Sequence, residues 1–551
     1  MNEKIKVTLP GNISKEVDIE TTTLEIIGTG KKAGQPLAAI VNGEIVELYR
    51  RLKADSNIVP INITDRIGYS IYARSISYMF VLAAHEVFKD ASVVIDHAIN
   101  NEIYGEIFCD REIDEKDILK IKEKMIEIVK SDDIIERVKV RKEEAEAIFK
   151  SYGANDKLSL LKNALDYEYV NLYKCRGMYD YFYGPMVPST GYLELFDVMF
   201  MKPGFIIMLP EKKEIDKLPP FRHLPKLRSV YKETKKWAKI LEVSNLGTIN
   251  EKIETGKIKD VILVAEALHE KKISQIADSI YEHRDKLKVV LIAGPSSSGK
   301  TTFSNRLSIQ LKVLGLEPHN IEADNYFVDR AHTPLKQNGE PDFESIKAVD
   351  VELLNEHLTE LLKGNEIENP KYNFITGQRE ASGEKYKMTD KSILIVEGIH
   401  ALNEELTPTI PKESKYKIYV SALTQLNLDN HNSMYVSDVR TLRRMIRDNR
   451  SRGNDAETTL IGWPSVREGE EKNIFPYQEE ADIMFNSTII YEMSVLKKYA
   501  EPLLKEIKSD SPAFTEATRI LKLLRFFQDL DEKYIPQNSI IREFIGGSCF
   551  E

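Results

Sequence analysis

The run Gly294-Pro295-Ser296-Ser297-Ser298-Gly299-Lys300-Thr301-Thr302 brings a permissive backbone, one cation and several hydroxyls into a single short stretch. It fits the pattern G-x-x-x-x-G-K-[ST], in which glycines let backbone N–H groups curl inward around phosphate oxygens. A helix starting at its end would add the positive pole of its dipole at the same point. In such a loop Lys300 bridges the β and γ phosphates and Thr301 ligates Mg2+. Residues 294–302 are therefore the expected nucleotide cradle.

A phosphate loop alone does not separate a kinase from an ATPase, a GTPase or a motor, so the acceptor side has to supply that distinction. Asp324, in IEADNYF, follows an expected second strand, and in a parallel sheet it would stand near the phosphates, able to take a proton from an attacking hydroxyl. The other reading of Asp324-Asn325 is a plain turn start. Glu397 ends the apolar run SILIVE; it would face the ligand crevice and hold Mg2+ through water, or else be a solvated strand end. Arg440, Arg443, Arg444 and Arg447 recur at i, i+3, i+4 and i+7, with Val439, Leu442 and Ile446 on another face. Continued by Arg450 and Arg452, this stripe would close over transferring phosphates as a lid, or form a solvated face paired with Asp438 and Asp448.

The elements that must carry these residues are legible around them. VVLIA at 289–293 reads as a buried strand directly before the loop, and 303–314 as the helix directly after it; SILIV at 392–396 is a second buried strand. Strand, turn, helix, strand predicts α/β architecture with a mainly parallel sheet. Upstream, the first sixty residues alternate apolar and polar with turn glycines at Gly11 and Gly43, which predicts short strands in a small mixed sheet. From residue 64 to about 218 an α+β pattern follows, with apolar helix at 72–88, a strand at 91–95 and a long charge-laced helix over 115–150. Proline-dense LPPFRHLP at 218–225 marks a boundary, and helical connectors run on to about 284. Ala517, Ile520, Leu521, Leu524, Phe527 and Leu530 follow helical spacing near the C-terminus.

Composition frames the same picture. At 551 residues, 42% hydrophobic and 30% charged, the chain is expected to fold as several globular domains. A net charge of −10 argues against bulk coating of nucleic acid. Cys109, Cys175 and Cys549 lie far apart and odd in number, so neither a disulfide framework nor a cysteine zinc site is expected. With no apolar signal core at its start and no apolar run of membrane-spanning length, the chain reads as cytoplasmic.

Taken together, GPSSSGKTT, DNYF after the second strand, PKYNF, ILIVEGIHAL and DVRTLRRMIRDNRSRG resemble the uridine kinase family, whose relatives include phosphoribulokinase. That resemblance implies an ATP- and Mg2+-dependent kinase over about 288–504, with Asp324 as general base. It also implies Tyr372 and Arg379 as nucleoside contacts, and Arg444, Arg447 and Arg452 as the grip on the phosphates. The acceptor pocket departs from the family pattern. Glu344 stands where an Asp is usual in N-F-D-x-P, and Gly377 where Tyr-Asp-Phe-x-x-His ends in histidine. Loss of a directional imidazole leaves uracil or cytosine preference open.

The front half resembles the N-terminal region of threonyl-tRNA synthetases: a TGS-like β-grasp module, then an editing-like domain. It does so through the strand pattern of 1–63 and through YARSISYMFVLAAHEVF, VVIDHAINNEIYGEI and YDYFYGPMVPSTG. The family's zinc positions fall on Arg74, Tyr78, Phe182 and Met186, none a usable ligand, so no zinc is expected. His85 and His97 have no second ligand at useful spacing and read as structural.

The expected organisation is a β-grasp module (1–63), an editing-like α+β domain (64–218), a connector (219–285), a P-loop kinase domain (286–508) and a helical C-terminal segment (509–551). The expected function is phosphorylation of a small hydroxyl-bearing acceptor, a nucleoside first. A sugar phosphate or other non-nucleoside acceptor, and a nucleotide-switched RNA-binding or regulatory protein, stand as alternatives; RNA contact and an oligomer are left open.

Overall fold

The computed structural model describes residues 3–28, 35–163, 168–212, 214–336, 339–373, 375–423 and 426–551. The chain divides into two compact units, one of Met1–Arg222, Asn245–Asn250 and Leu426–Met434, the other of His223–Ser244, Glu251–Gln425 and Tyr435–Glu551.

The first unit opens on strands β1 (Lys4–Leu9), β2 (Ile13–Asp18), β3 (Pro36–Val41), β4 (Glu44–Glu47) and β5 (Ser56–Asn62), in the order β2-β1-β5-β3-β4. β1 and β5 are parallel, with Val7 opposite Ser56, and the other neighbours are antiparallel, which makes a β-grasp sheet. The strand period of two turns Ile5 and Val7 inward, where Ala39, Val46 and Ile58 complete a small core.

Next come the helix Arg66–Val87, β6 (Ser92–Ile99), β7 (Glu102–Phe108), the helix Glu115–Ser131, β8 (Glu136–Arg141), β9 (Tyr169–Cys175), β10 (Met178–Asp180), β11 (Asp197–Met201) and β12 (Gly204–Met208). Two antiparallel sheets result, ordered β11-β12-β7-β6 and β10-β9-β8. Residues 75–84 of the first helix are all buried, the apolar ones in one cluster with Ile121, Met125 and Ile128 of the second and with Phe205 and Ile207 of β12.

The continuous helix expected over 115–150 is broken. It ends at Ser131, Asp132 takes a left-handed conformation (φ 54°), and β8 intervenes before a new helix, Lys142–Tyr152. The side chain of Asp132 accepts hydrogen bonds from Ser189 Oγ at 2.5 Å and Gly191 N at 3.1 Å, contacts that charge patterning cannot foretell. Val138 and Val140 alternate with Arg137, Lys139 and Arg141, so the strand period was present beneath the charges.

Residues 426–434 join this unit from far along the chain. Asn427 Nδ2 donates to the carbonyls of Ile95 and Asp96 at 3.0 and 3.1 Å, and Asn430 N donates to Asp156 at 2.8 Å. At the centre Lys157 Nζ lies 2.8 Å from Asp180 and 3.4 Å from Asp429, all three buried, and His431 Nδ1 lies 2.7 Å from Asp180.

The second unit contains β13 (Val289–Ala293), β14 (Glu317–Glu322), β15 (Ile367–Asn373), β16 (Gln378–Tyr386), β17 (Ser392–Glu397), β18 (Lys415–Ser421) and β19 (Ile483–Asn486). Five of them form an all-parallel sheet, β14-β17-β13-β18-β19, while β15 and β16 make a separate hairpin. A strand covered on both faces must be apolar throughout, and β13 and β17 are buried at every residue. Ile273, Ile276 and Ile280 of the helix Ile258–Glu282 and Leu307 and Leu311 of the helix Lys300–Val313 cover the sheet. Each such side chain contributes about 1.5–3 kcal/mol by leaving water.

Near the C-terminus the helix Phe514–Leu524 stops short of the expected span. Phe527 and Leu530 are buried all the same, through turns that end with Leu530 N donating to Ser494 O at 3.1 Å.

Removing Asp180 takes the closer carboxylate from Lys157 and the partner of His431 Nδ1, leaving Asp429 at 3.4 Å, in a dry site where breaking a buried pair is costly. Asp180→Ala is expected to destabilise the first unit by about 3 kcal/mol, read as an earlier unfolding transition in urea.

Candidate active site at the carboxyl edge of the parallel sheet

The loop between β13 and the helix Lys300–Val313 lies at the carboxyl edge of the central strand. Gly299 has φ +79°, and a Cβ there would meet Ile540 Cγ2 at 2.6 Å, so both conformation and space demand glycine. The hydroxyls of Ser297 and Ser298 are buried without a hydrogen-bond partner among the described residues. Unspent buried donors in a concave loop at a helix N-terminus fit an anionic ligand.

The loop is gripped from behind. Arg440 Nε donates to Ser296 O at 3.0 Å, and its guanidinium pairs with both oxygens of Glu470, one of which also accepts from Ser296 N at 3.2 Å. Arg443 donates to Ser297 O at 3.4 Å and to Ser487 O at 3.0 Å, and its Nη2 lies 2.6 Å from Glu492. Arg440 and Arg443 are fully buried, so half of the expected arginine stripe does not form a lid at all. The stripe splits because positions 440 and 443 face the loop while 444 and 447 turn toward Asp448.

Arg444 Nη1 donates to Ser296 Oγ at 3.0 Å and its Nε lies 3.3 Å from Asp448. Arg447 and Arg452 flank the same aspartate, at 2.9 and 3.7 Å. Burial and the charge of Arg447 pull the Arg452 guanidinium below its usual range, partly offset by Asp448 and Asp324.

On the opposite side, Asp324 sits in the single turn Ala323–Tyr326 directly after β14, and Glu397 closes β17. Glu397 Oε1 accepts from Thr301 Oγ1 at 2.8 Å; its other oxygen is buried with no hydrogen-bond partner among the described residues. Burial, then the charge of Glu322, push the Glu397 carboxyl up to about 8, with Lys300 acting the other way. Glu322 is raised too, by burial and by Asp324. Hydroxyl and carboxylate oxygens crowded in this way suit a hard divalent cation such as Mg2+. No three His, Cys, Asp or Glu side chains among the described residues converge into a self-sufficient metal cage. A Mg2+ ion shared with phosphates and water needs none.

Glu344 faces the same space, its carboxyl pushed up to about 7 by burial and by Glu470, against Arg444 and Lys300, with Asp324 adding to the rise. Asp324, Glu344, Lys300 and Arg444 thus share one electrostatic neighbourhood. Tyr372 is reached through Asn325, whose side chain accepts from Tyr372 N at 3.1 Å, and its ring packs edge-on against Phe327. Arg379, the cross-strand partner of Tyr372, is engaged by Asp350 at 3.0 Å. Gly377 has φ +71°, and a Cβ there would meet the Arg330 side chain at 2.8 Å, so a larger residue would be strained and would displace Arg330. Phe374 of the PKYNF motif lies outside the described residues.

Residues 289–493 match the model of the phosphoribulokinase / uridine kinase family. The second unit therefore carries a kinase region of that type, and the match does not specify an acceptor. Solved structures similar to this chain include one described as a possible uridine kinase from Bacillus stearothermophilus, 21% identical, covering 36% of this chain and 89% of that one with a TM-score of 0.25. Another is D-glycerate 3-kinase from Cryptococcus neoformans var. grubii, 14% identical, covering 50% and 87% with a TM-score of 0.23. The N-terminal region matches threonine–tRNA ligases. That of Janthinobacterium sp. (strain Marseille) is 33% identical and that of Methylibium petroleiphilum 31%, each over 198 residues, 35% of this chain and 31% of the relative. The chain spans about a third of the length of these curated relatives.

Of the four residues expected at zinc positions, Arg74 donates to Pro185 O at 2.7 Å, Tyr78 OH donates to Met178 O at 3.0 Å, and the Tyr78 and Phe182 rings meet edge-to-face. Met186 is buried beside them in the same apolar cluster. No helix among the described residues is long and apolar enough to cross a membrane.

Glu470, Glu492, Ser487 and Glu543, which hold or border the loop, were not among the expected site residues. Their partners lie at long sequence separations, so spacing carries no signal for them.

Glu344 keeps its proton up to about pH 7 in the folded chain but releases it near the usual 4.5 when unfolded. The folded state therefore holds more protons between those values, and the stability this adds is full below 4.5 and lost as pH rises through 7. Glu344→Gln is expected to remove up to about 2 kcal/mol of that decline, read by comparing urea unfolding of both proteins at pH 5 and pH 8.

Proposed function

We propose that the second unit transfers the γ-phosphoryl group of ATP to a hydroxyl of a small acceptor, a nucleoside in the first instance. The observation that carries this reading is the shared neighbourhood of Asp324, Glu344, Lys300 and Arg444 beside the phosphate loop. A hydrolase or motor needs a water and a moving element there; a kinase needs a base, an acceptor pocket and charge stabilisers at one point.

In this reading the backbone amides and hydroxyls of Gly294, Pro295, Ser296, Ser297, Ser298, Gly299 and Thr301 cradle the phosphates, Pro295 through its loop geometry alone, and Thr302 closes the cradle with its donors shared with Glu543. Asp324 takes the proton of the acceptor hydroxyl as its oxygen bonds to the γ-phosphorus and the bond to the leaving ADP oxygen breaks. Lys300, Arg444 and Arg447 stabilise the charge that spreads over the transferring group, and Arg452 holds the nucleotide. Thr301 and Glu397 would hold Mg2+, which supplies neutralisation of phosphate charge. Glu344, Tyr372 and Arg379 bind the acceptor.

The collision between a side chain at Gly377 and Arg330 favours a second acceptor class, a sugar phosphate or other non-nucleoside. No histidine stands there to read a pyrimidine edge, and the Arg330 side chain lies beside the turn. The domain boundaries at 63, 218, 285 and 508, a cytoplasmic location, absence of zinc, and any RNA or oligomeric partner belong to this reading as well.

Coupled ADP release with Mg-ATP, run against nucleosides and sugar phosphates with mass detection, tests it. The expected outcome is one phosphorylated product from the unaltered chain and a fall of at least about 100-fold in kcat for Asp324→Asn. Nucleotide binding with no acceptor-dependent turnover would overturn the kinase reading.

A further inference from the structure

Residues 535–551 lie beyond the stretch that matches the kinase family, yet they are built into its phosphate loop. Ile540 and Phe544 are fully buried in the core of the parallel sheet, and Ile540 fills the space beside Gly299. Phe544 lies 4.9 Å under the guanidinium of Arg443, the same side chain that holds Ser297. Arg450 fastens the tail from outside, donating to Glu543 O at 3.2 Å and to Glu551 at 3.1 Å.

This packing delivers one carboxylate to the loop. Glu543 Oε2 accepts from Thr302 N at 3.1 Å and from Thr302 Oγ1 at 2.9 Å. Thr302 is the third residue of the helix Lys300–Val313, so its N–H is one of the few that the helix leaves for an outside partner. Those are the donors a phosphate chain would use. Glu543 also acts electrostatically on Glu322 and Glu397, whose second oxygen is buried and unpartnered among the described residues.

Resting on the kinase reading above, we infer that Glu543 is a positioning residue that makes nucleotide binding depend on a divalent cation. Its carboxylate occupies a helix N-terminal donor and sets a negative charge beside Glu322 and Glu397. Metal-free phosphates approaching that corner meet repulsion and one spent amide. A divalent cation bound with the phosphates would offset the Glu543 charge.

The test is calorimetric binding of ADP to the full chain, in EDTA and in Mg2+. Glu543→Gln keeps an oxygen that accepts from Thr302 but removes the charge, whereas Glu543→Ala removes both. The expected result is that Glu543→Gln binds metal-free ADP roughly three- to tenfold more tightly than the unaltered chain while its affinity with Mg2+ changes less, so the ratio between conditions shrinks. If both variants weaken ADP equally in the two conditions, Glu543 is only a helix cap and the inference fails. An unchanged ratio in Glu543→Gln overturns it too, leaving the kinase reading intact. No ADP binding by the unaltered chain under either condition overturns that reading, and this inference with it.

Discussion

Two buried ion pairs hold the backbone of the phosphate loop in its curled form, and the site is organised around them. Arg440 with Glu470 and Arg443 with Glu492 reach the carbonyls of Ser296 and Ser297 from behind, so the front of the loop is left to its N–H groups and hydroxyls. Pairs of this kind carry a large desolvation penalty and are poor sources of net stability. Their use lies in geometry: each guanidinium fork satisfies loop carbonyls that would otherwise be buried without partners, and a planar fork tolerates little displacement.

That constraint explains why the arginine helix does two jobs. A helix presents neighbours three and four apart on adjoining strips, so four arginines at 440, 443, 444 and 447 cannot all meet the same partner. The pair at 440 and 443 turns into the protein and becomes framework. Arg444 and Arg447 stay on the open side, tied to Asp448, within electrostatic reach of the acidic groups across the site. On that far side the parallel sheet does the positioning: β14 and β17 are adjacent and in register from Glu317 opposite Ser392 to Glu322 opposite Glu397. Asp324 and Glu397 therefore arrive at the same edge without any contact between their neighbourhoods in sequence.

The same low-dielectric crowding sets the protonation of the site. Glu344 and Glu397 are both raised, and in each case burial is the leading cause, with neighbouring carboxylates adding to it. The hairpin β15–β16 works by different means. Its turn at Gly377 has a positive φ and the Arg330 side chain lies against it, with Arg330 N donating to Gly377 O at 2.8 Å.

Much of this was readable in the chain. Periodicity located β13, the helix after it, β17 and the β-grasp strands, because a residue's burial within a strand or helix depends mostly on near neighbours. The loop, Asp324 and Glu397 could be singled out because their residue types stand in contiguous stretches beside legible strands. Where the reading failed, the deciding contacts were distant. The 115–150 stretch broke at Asp132, held by Ser189 and Gly191, and the arginine stripe divided according to partners at Ser296, Glu470 and Glu492. Glu543 reached Thr302 across 241 residues. The sequence by itself determined which elements form and which residue types stand at the phosphate loop; only the tertiary structure decided which charges are spent on holding that loop and which face the ligand, because pairing depends on distances that folding, not spacing, creates.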